Sequence, residues 1–172
     1  MRRVFQKYWF MFSVAGLIVA LDQWTKSLVR TSLPVGSTWL PESVAWLSPY
    51  ARIVNWHNTG AAFGMFQNGS MVFTVLAIVV IGAIVYYFPH VEKRDWTLRL
   101  AMSMQLGGAL GNLIDRLLRD GRVTDFISVG TFPVFNVADA SISVGTAVLL
   151  LGVYLQERAA KQAAAIQIES VK

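Results

Sequence analysis

With 172 residues, 55% of them hydrophobic and 15% charged, and a mean hydropathy of +0.49, the chain has room for one domain and is too apolar for a soluble average. It reads as a membrane protein. The net charge of +5 and pI near 9.8 do not point to nucleic acid, because no basic run exceeds two residues and none is interleaved with base-reading side chains. Lys and Arg flanking membrane spans account for the charge instead. The absence of cysteine excludes disulfides, thiol catalysis and thiolate metal sites. His57 and His90 stand far apart with no metal-ligand spacing, so neither a metal nor another cofactor is expected.

Arg2, Arg3 and Lys7 precede an uncharged apolar run from Tyr8 to Leu21, an opening that mimics a secretory signal peptide. No small-x-small cleavage site follows, so the segment is expected to be an uncleaved first span over about 9–29. Asp22 and Lys26, spaced i, i+4, share a helix face and can pair, either as a surface ion pair with a snorkelling lysine or as part of a site.

The connection 32–69 contains Pro34, Pro41 and Pro49 and no run long enough to span. Within it Ala51 to Trp56 is rich in β-formers, and Trp39, Trp46 and Trp56 suit strands lying at the headgroup level. Asn58-Thr-Gly is either a plain turn or the start of a small-residue segment, through Gly64, that approaches another surface closely. Asn68-Gly-Ser70 matches a glycosylation sequon, a pattern short enough to arise by chance.

Residues 71–88 form the clearest span, uncharged and ended by Pro89. The third span, 98–117, is less apolar. Gly107 and Gly111 make a small-xxx-small pair for close helix packing, with Gly108 beside them. Asn112, Asp115 and Arg116 are spaced i, i+3, i+4 and form a polar patch, in which Arg116 either neutralises Asp115 or organises a site. In the loop 118–135, Gly121 and Gly130 punctuate turns and Val123–Val129 is expected to be a short strand. The fourth span covers 137–156 and the tail 157–172 reads as a cytoplasmic helical extension. Lys and Arg then divide as nine on the side of the termini and six on the other, which orients both termini toward the cytoplasm.

Asp125 and Asp139 fall where the last two spans meet this loop. A carboxylate near hydrocarbon costs about 2.5–3.5 kcal/mol on insertion scales, so each is a functional hypothesis. Asp139 has a competing explanation: with Asn136 as N-cap it sits where a capping box places its acid. Asp125 has none, lying between Val123, Phe126 and Ile127. A loop folded back over the fourth helix start would bring the two carboxylates together. Such a pair keeps one proton and can activate water with one member while protonating a carbonyl oxygen or leaving amine with the other. A capping acid plus an unrelated loop acid remains the alternative.

Five blocks together are more specific: Asp22-Gln-Trp-Thr-Lys26, Asn58-Thr-Gly-Ala-Ala-Phe-Gly64, Gly107 to Arg116 (GGALGNLIDR), Val123-Thr-Asp-Phe-Ile127 and Phe135-Asn-Val-Ala-Asp139. In this order, over roughly Ala20 to Leu151, the chain resembles the lipoprotein signal peptidases, the bacterial type II signal peptidases. The resemblance implies a mainly α membrane protein: a four-transmembrane-helix bundle with a small extracytoplasmic β-cradle, formed by 32–69, lying on the membrane. It implies an aspartic endopeptidase that removes the signal peptide from diacylglyceryl-modified prolipoproteins, cutting before the lipidated cysteine. Asp125 and Asp139 match its catalytic pair, and Asn58, Asn112, Arg116 and Asn136 match positions that bind substrate or shape the site. Asp22, Lys26, Gly108 and Asp115 match supporting positions. The implied partners are lipid-modified prolipoprotein, membrane lipids and globomycin-type inhibitors, with no nucleic acid. The implied setting is a monomer in the bacterial inner membrane, multi-pass, with its active site near the outer face.

Two residues depart from the family pattern. Thr124 stands where a second valine is expected and Ala140 where serine commonly follows the aspartate; the loop between the aspartates is also shorter than in some members. The rival readings from the residues are a small membrane transporter or proton-relay protein, which should carry internal repeats, and a noncatalytic lipid-binding scaffold. Helices one and two show no echo in three and four.

Overall fold

The computed structural model describes residues 2–60 and 69–169. Four long helices carry the chain: α1 (Arg2–Ser32), α2 (Ser70–Tyr87), α3 (Trp96–Leu118) and α4 (Val137–Glu169). A three-stranded antiparallel sheet joins β1 (Thr38–Trp39), β2 (Ala51–Asn58) and β3 (Val123–Val129) in that order. A 3-10 segment, Glu42–Leu47, fills the connection between β1 and β2. Both expected strands are therefore present, and β3 has the expected bounds. Gly64 and the rest of the small-residue segment after Gly60, together with Asn68 of the sequon, lie outside the described residues.

Among the described residues two stretches are long and apolar enough to cross a membrane, Ser70–His90 and Val137–Gln162, with mean hydropathies of 2.5 and 1.7. Only 11% of the first is buried inside the protein, so α2 is no soluble core helix; Val72, Val75, Leu76 and Val79 face outward. Helices α1 and α3 are as long but less uniformly apolar, because Asp22, Lys26, Asn112 and Asp115 lie within them. Those four side chains are buried. Their polar groups turn inward, where Lys26 reaches Asp22, Asp115 and Asn112.

Helix α3 is central and packs against α1, α2 and α4. Its small residues make that possible. A Cβ on Gly107 would come 2.8 Å from the Ile18 Cβ of α1, and one on Gly108 would come 2.5 Å from the Ala138 carbonyl oxygen of α4. Gly111 gives its space to a carboxylate, since a Cβ there would meet the Asp22 Oδ2 at 2.7 Å. At the other end of the bundle Met11, Ala15, Ile84, Phe88 and Leu106 form an apolar core, and the Arg99 guanidinium lies 4.2 Å above the Phe88 ring.

The connection from α3 to α4 is the part that positions chemistry. It leaves the helix through Asp120 and Gly121 at φ 51° and 79°, the left-handed region that lets a chain reverse after a helix end. Strand β3 then runs antiparallel to β2, with Trp56 opposite Asp125 and Asn58 opposite Val123. After the turn at Gly130 (φ 51°) the chain doubles back, and the Phe135 carbonyl accepts from the N–H groups of both Phe126 and Ile127. That fold-back brings the start of α4 beside the middle of β3.

Candidate active site

Each acid owes its place to a different local rule. Asp125 sits mid-strand, and Asn58, two residues beyond its cross-strand partner Trp56, is its diagonal neighbour on the same face. The Asn58 Nδ2 donates to Asp125 Oδ2 at 3.0 Å, while Asn58 Oδ1 accepts from the Gly60 N–H at 2.9 Å. Asn58 thus opens a turn, as one reading had it, and that turn holds the amide that reaches the acid. Asp139 occupies the capping box as expected. Asn136 Oδ1 accepts from the Asp139 N–H at 2.9 Å and Asp139 Oδ2 accepts from the Asn136 N–H at 3.2 Å.

The cap and the strand acid are not separate features. Asn136 is fully buried, and its Nδ2 donates to Asp125 Oδ1 at 2.7 Å and to Asn112 Oδ1 at 3.1 Å. Asn112 in turn donates from Nδ2 to Asp139 Oδ1 at 2.8 Å. One pair of amides therefore connects both carboxylates. Asp125 and Asp139 also line one cavity of about 460 Å³, with Asn58, Asn112 and Arg116 on its polar side and Phe73, Phe132 and Phe135 on its apolar side.

Asp125 is 1% exposed. Burial first, then the negative charge of Asp139, pushes its carboxyl up to about 7, against opposing hydrogen bonds from Asn58 and Asn136. Among the described residues neither Asp125 nor Asp139 belongs to an ion pair. On β2, His57 is held below its ordinary value by partial burial and then by Arg122, Arg119 and Arg30, which makes it neutral at pH 7.

Arg116 does not neutralise Asp115. Its guanidinium turns into the cavity, 5.6 Å from the Phe73 ring, and its buried Nε has no partner among the described residues. Asp115 is instead surrounded by other cations: Lys26 at 3.4 Å, Arg30 at 3.6 Å and Arg119 at 3.6 Å. The Asp22–Lys26 pair forms at 2.8 Å, but not on the surface, since both side chains are 0% exposed. The snorkelling reading fails because Lys26 runs inward between helices and ends on Asp22, Asp115 and Asn112 Oδ1, the last at 2.9 Å.

Three participants escaped the reading of the sequence. Gln23 donates to Asp22 Oδ2 at 3.1 Å, to the Gly111 carbonyl at 3.0 Å and to Asp115 Oδ1 at 3.4 Å. Arg30 reaches the Thr124 hydroxyl at 3.3 Å, so the departure from valine there has acquired a partner. Arg119, one turn beyond Asp115, was visible only as a basic residue in a loop. Helical spacing relative to the known acids is the signal that could have found Arg119. Among the described residues no group of three or more His, Cys, Asp or Glu is placed to hold a metal ion.

Residues 14–155 match the family model described as signal peptidase (SPase) II. The lipoprotein signal peptidase of Shouchella clausii (strain KSM-K16) is 40% identical over 88% of this chain and 97% of its own length. That of Halalkalibacterium halodurans is 38% identical over 88% and 96%. Among solved structures, a bacterial membrane enzyme determined by the in meso method at 2.3 Å superposes with a TM-score of 0.77 at 29% identity, covering 86% of this chain and 88% of the other. A second, at 1.9 Å, gives 0.72 at 30% identity over 83% and 91%.

Proposed function

The chain belongs to the signal peptidase II family, whose proteases process prolipoprotein signal peptides, and from that premise we propose that Asp125 and Asp139 are its catalytic dyad. The observation that carries the reading is that both carboxylates line one cavity and are joined through the side-chain amides of Asn136 and Asn112. A capping acid with an unrelated loop acid would share neither. The family also displaces the transporter and scaffold readings.

In the working form of the pair Asp125 holds the proton, because burial and the facing negative charge of Asp139 raise its carboxyl into the neutral range. Asp139, at a helix start and receiving hydrogen bonds from the Asn136 N–H and the Asn112 amide, carries the charge. Asp139 takes a proton from water as the water oxygen attacks the scissile carbonyl carbon. Asp125 gives its proton to the carbonyl oxygen, so a neutral tetrahedral diol forms. On collapse the C–N bond breaks, a proton passes from the dyad to the leaving nitrogen, and the diol hydroxyl returns one to Asp125. Both acids are then reset.

The substrate is a diacylglyceryl-modified prolipoprotein, cut before its lipidated cysteine. A second cavity of about 340 Å³, lined by Leu76, Val80 and Ala109 between α2, α3 and α4, shares Phe73, Asn112, Arg116 and Ile142 with the first. It suits the apolar signal helix and acyl chains arriving sideways from the bilayer. Asn58 and Arg116 hold the peptide backbone, and Arg116 can do so because its Nε lacks a partner among the described residues. Four spans, α1 to α4, cross the inner membrane with both termini cytoplasmic. The sheet β1–β2–β3 is the extracytoplasmic cradle, with Trp39, Trp46 and Trp56 exposed to sit at the headgroups. The protein acts as a monomer and takes globomycin-type inhibitors in the same cavity.

The test is cleavage of a lipidated precursor by purified protein in detergent. Asp125→Asn and Asp139→Asn should each abolish turnover while the protein stays folded. Wild-type turnover in either variant would sink the mechanism.

A further inference from the structure

The two acids of the dyad stand on different elements, one on β3 and one on α4, and something must hold those elements at a fixed spacing. The backbone beside each acid is pinned in the same way. Asp115 Oδ2 accepts the N–H of Thr124, the residue before Asp125, at 3.0 Å. Asp22 Oδ1 accepts the N–H of Ala138, the residue before Asp139, at 2.9 Å. Between those two anchoring carboxylates lies a single cation, with Lys26 Nζ 2.8 Å from Asp22 Oδ2 and 3.4 Å from Asp115 Oδ2. Its remaining hydrogen goes to Asn112 Oδ1 at 2.9 Å, the residue that donates to Asp139.

We propose that Lys26 is a positioning residue for the dyad, the spacer that sets the separation of the Asp125 and Asp139 carboxylates by bridging the two acids that pin their backbones. The inference rests on the dyad reading above and adds what holds the dyad in register. An ammonium has three donors, and three acceptors stand within 3.4 Å of this one, each a group that leads to one of the catalytic acids in one or two steps. Stability alone does not call for this arrangement. A fully buried lysine pays a desolvation cost that a well-packed apolar side chain would avoid. Gln23 spans the same two acids, 3.1 Å from Asp22 Oδ2 and 3.4 Å from Asp115 Oδ1, but it carries no charge and is not fully buried.

The readout is the width of the bell-shaped pH profile of kcat. Two carboxylates held close titrate apart from one another, and the gap narrows when they separate. The charged and titratable groups around the pair are Asp22, Lys26 and Arg30 from α1, His57 from β2, and Asp115, Arg116 and Arg119 from α3. The informative variant is the full-length double substitution Asp22→Asn with Lys26→Met. It removes one charge of each sign, and the Asn oxygen still accepts from Ala138. Asp115 keeps Arg30 and Arg119. The bridge is lost, together with the Lys26 hydrogen bond to Asn112 Oδ1 and the Asp22 Oδ2 acceptor of Gln23.

With the lipidated precursor in detergent, the folded double variant should lose about 100-fold in kcat, the scale of a misplaced catalytic group, with KM within about threefold and a narrowed bell. Wild-type kcat and bell width in that variant overturn the spacer. If the double variant fails to fold, Asp22→Asn alone carries the test: a smaller loss of kcat with a narrower bell supports the proposal, and an unchanged bell overturns it. Asp125→Asn and Asp139→Asn run alongside. Turnover in these would end the dyad reading and the spacer with it, whereas their inactivity beside an unimpaired double variant would remove the spacer alone.

Discussion

Four aspartates stand within one small region, and the protein treats them in two ways. Asp22 and Asp115 are fully buried and each faces cations, Lys26 for the first and Lys26, Arg30 and Arg119 for the second. Asp125, equally buried, and Asp139, half-buried, receive only neutral amides and backbone N–H groups. An ion pair fixes a carboxylate in its charged form, whereas an amide donor leaves it free to take up a proton. On the proposed reading the first pair is architecture and the second is chemistry. Residue type and burial do not separate them; the charge of the partner does.

The largest effects should come from breaking the chemical pair. Asn at either Asp125 or Asp139 should cost at least about 10³-fold in kcat for the lipidated precursor, within the range for loss of a general acid or base. Next comes the architectural pair: Lys26→Met alone leaves Asp22 without its cation, and unfolding in detergent should register a loss of about 3–5 kcal/mol.

The comparison sharpens when pH is varied. Asp125 binds its proton more tightly folded than unfolded, so between the ordinary carboxyl value and about 7 the folded state holds more protons and stability falls as pH rises. Asp125→Asn removes that penalty. It should be more stable than wild type at pH 8, by on the order of 4 kcal/mol, and match it near pH 4. A wild-type protein more stable at pH 8 than at pH 5 relative to this variant would contradict the assignment.

Smaller effects test the scaffolding. Gly108→Ala places a methyl 2.5 Å from the Ala138 carbonyl, at the start of α4, so it should cost about 1–3 kcal/mol and reduce kcat more than KM. Arg119→Gln should change stability by less than about 1 kcal/mol, because Arg119 is 43% exposed and Asp115 keeps two other cations. A thermal melt of each variant beside wild type distinguishes the two magnitudes.

Much of this was legible in the residues themselves. Hydropathy located the helices, β-formers between turn residues located β2 and β3, and Asn136-Val-Ala-Asp139 announced its capping box, because each of these depends on neighbours within a few residues. The pairing of Asp22 with Lys26 was likewise a matter of helical spacing. What spacing could not decide was which side of the helix faced inward, so the same pair read equally well as a surface contact. The partner of Arg116 was open for the same reason. Asp115 is one residue away along the helix and points elsewhere.

The sequence by itself determined the apolar helices, the two strands and, through five motifs in order, the family and the two acids to examine. Only the tertiary structure decided which acids are paired with cations and which are not. The contacts that assemble the site run far along the chain, 86 residues from Lys26 to Asn112 and 116 from Asp22 to Ala138, and no local rule connects them. They meet because glycines at 107, 108 and 111 let α1 and α4 close onto α3, and because the fold-back at Phe135 sets β3 beside the start of α4.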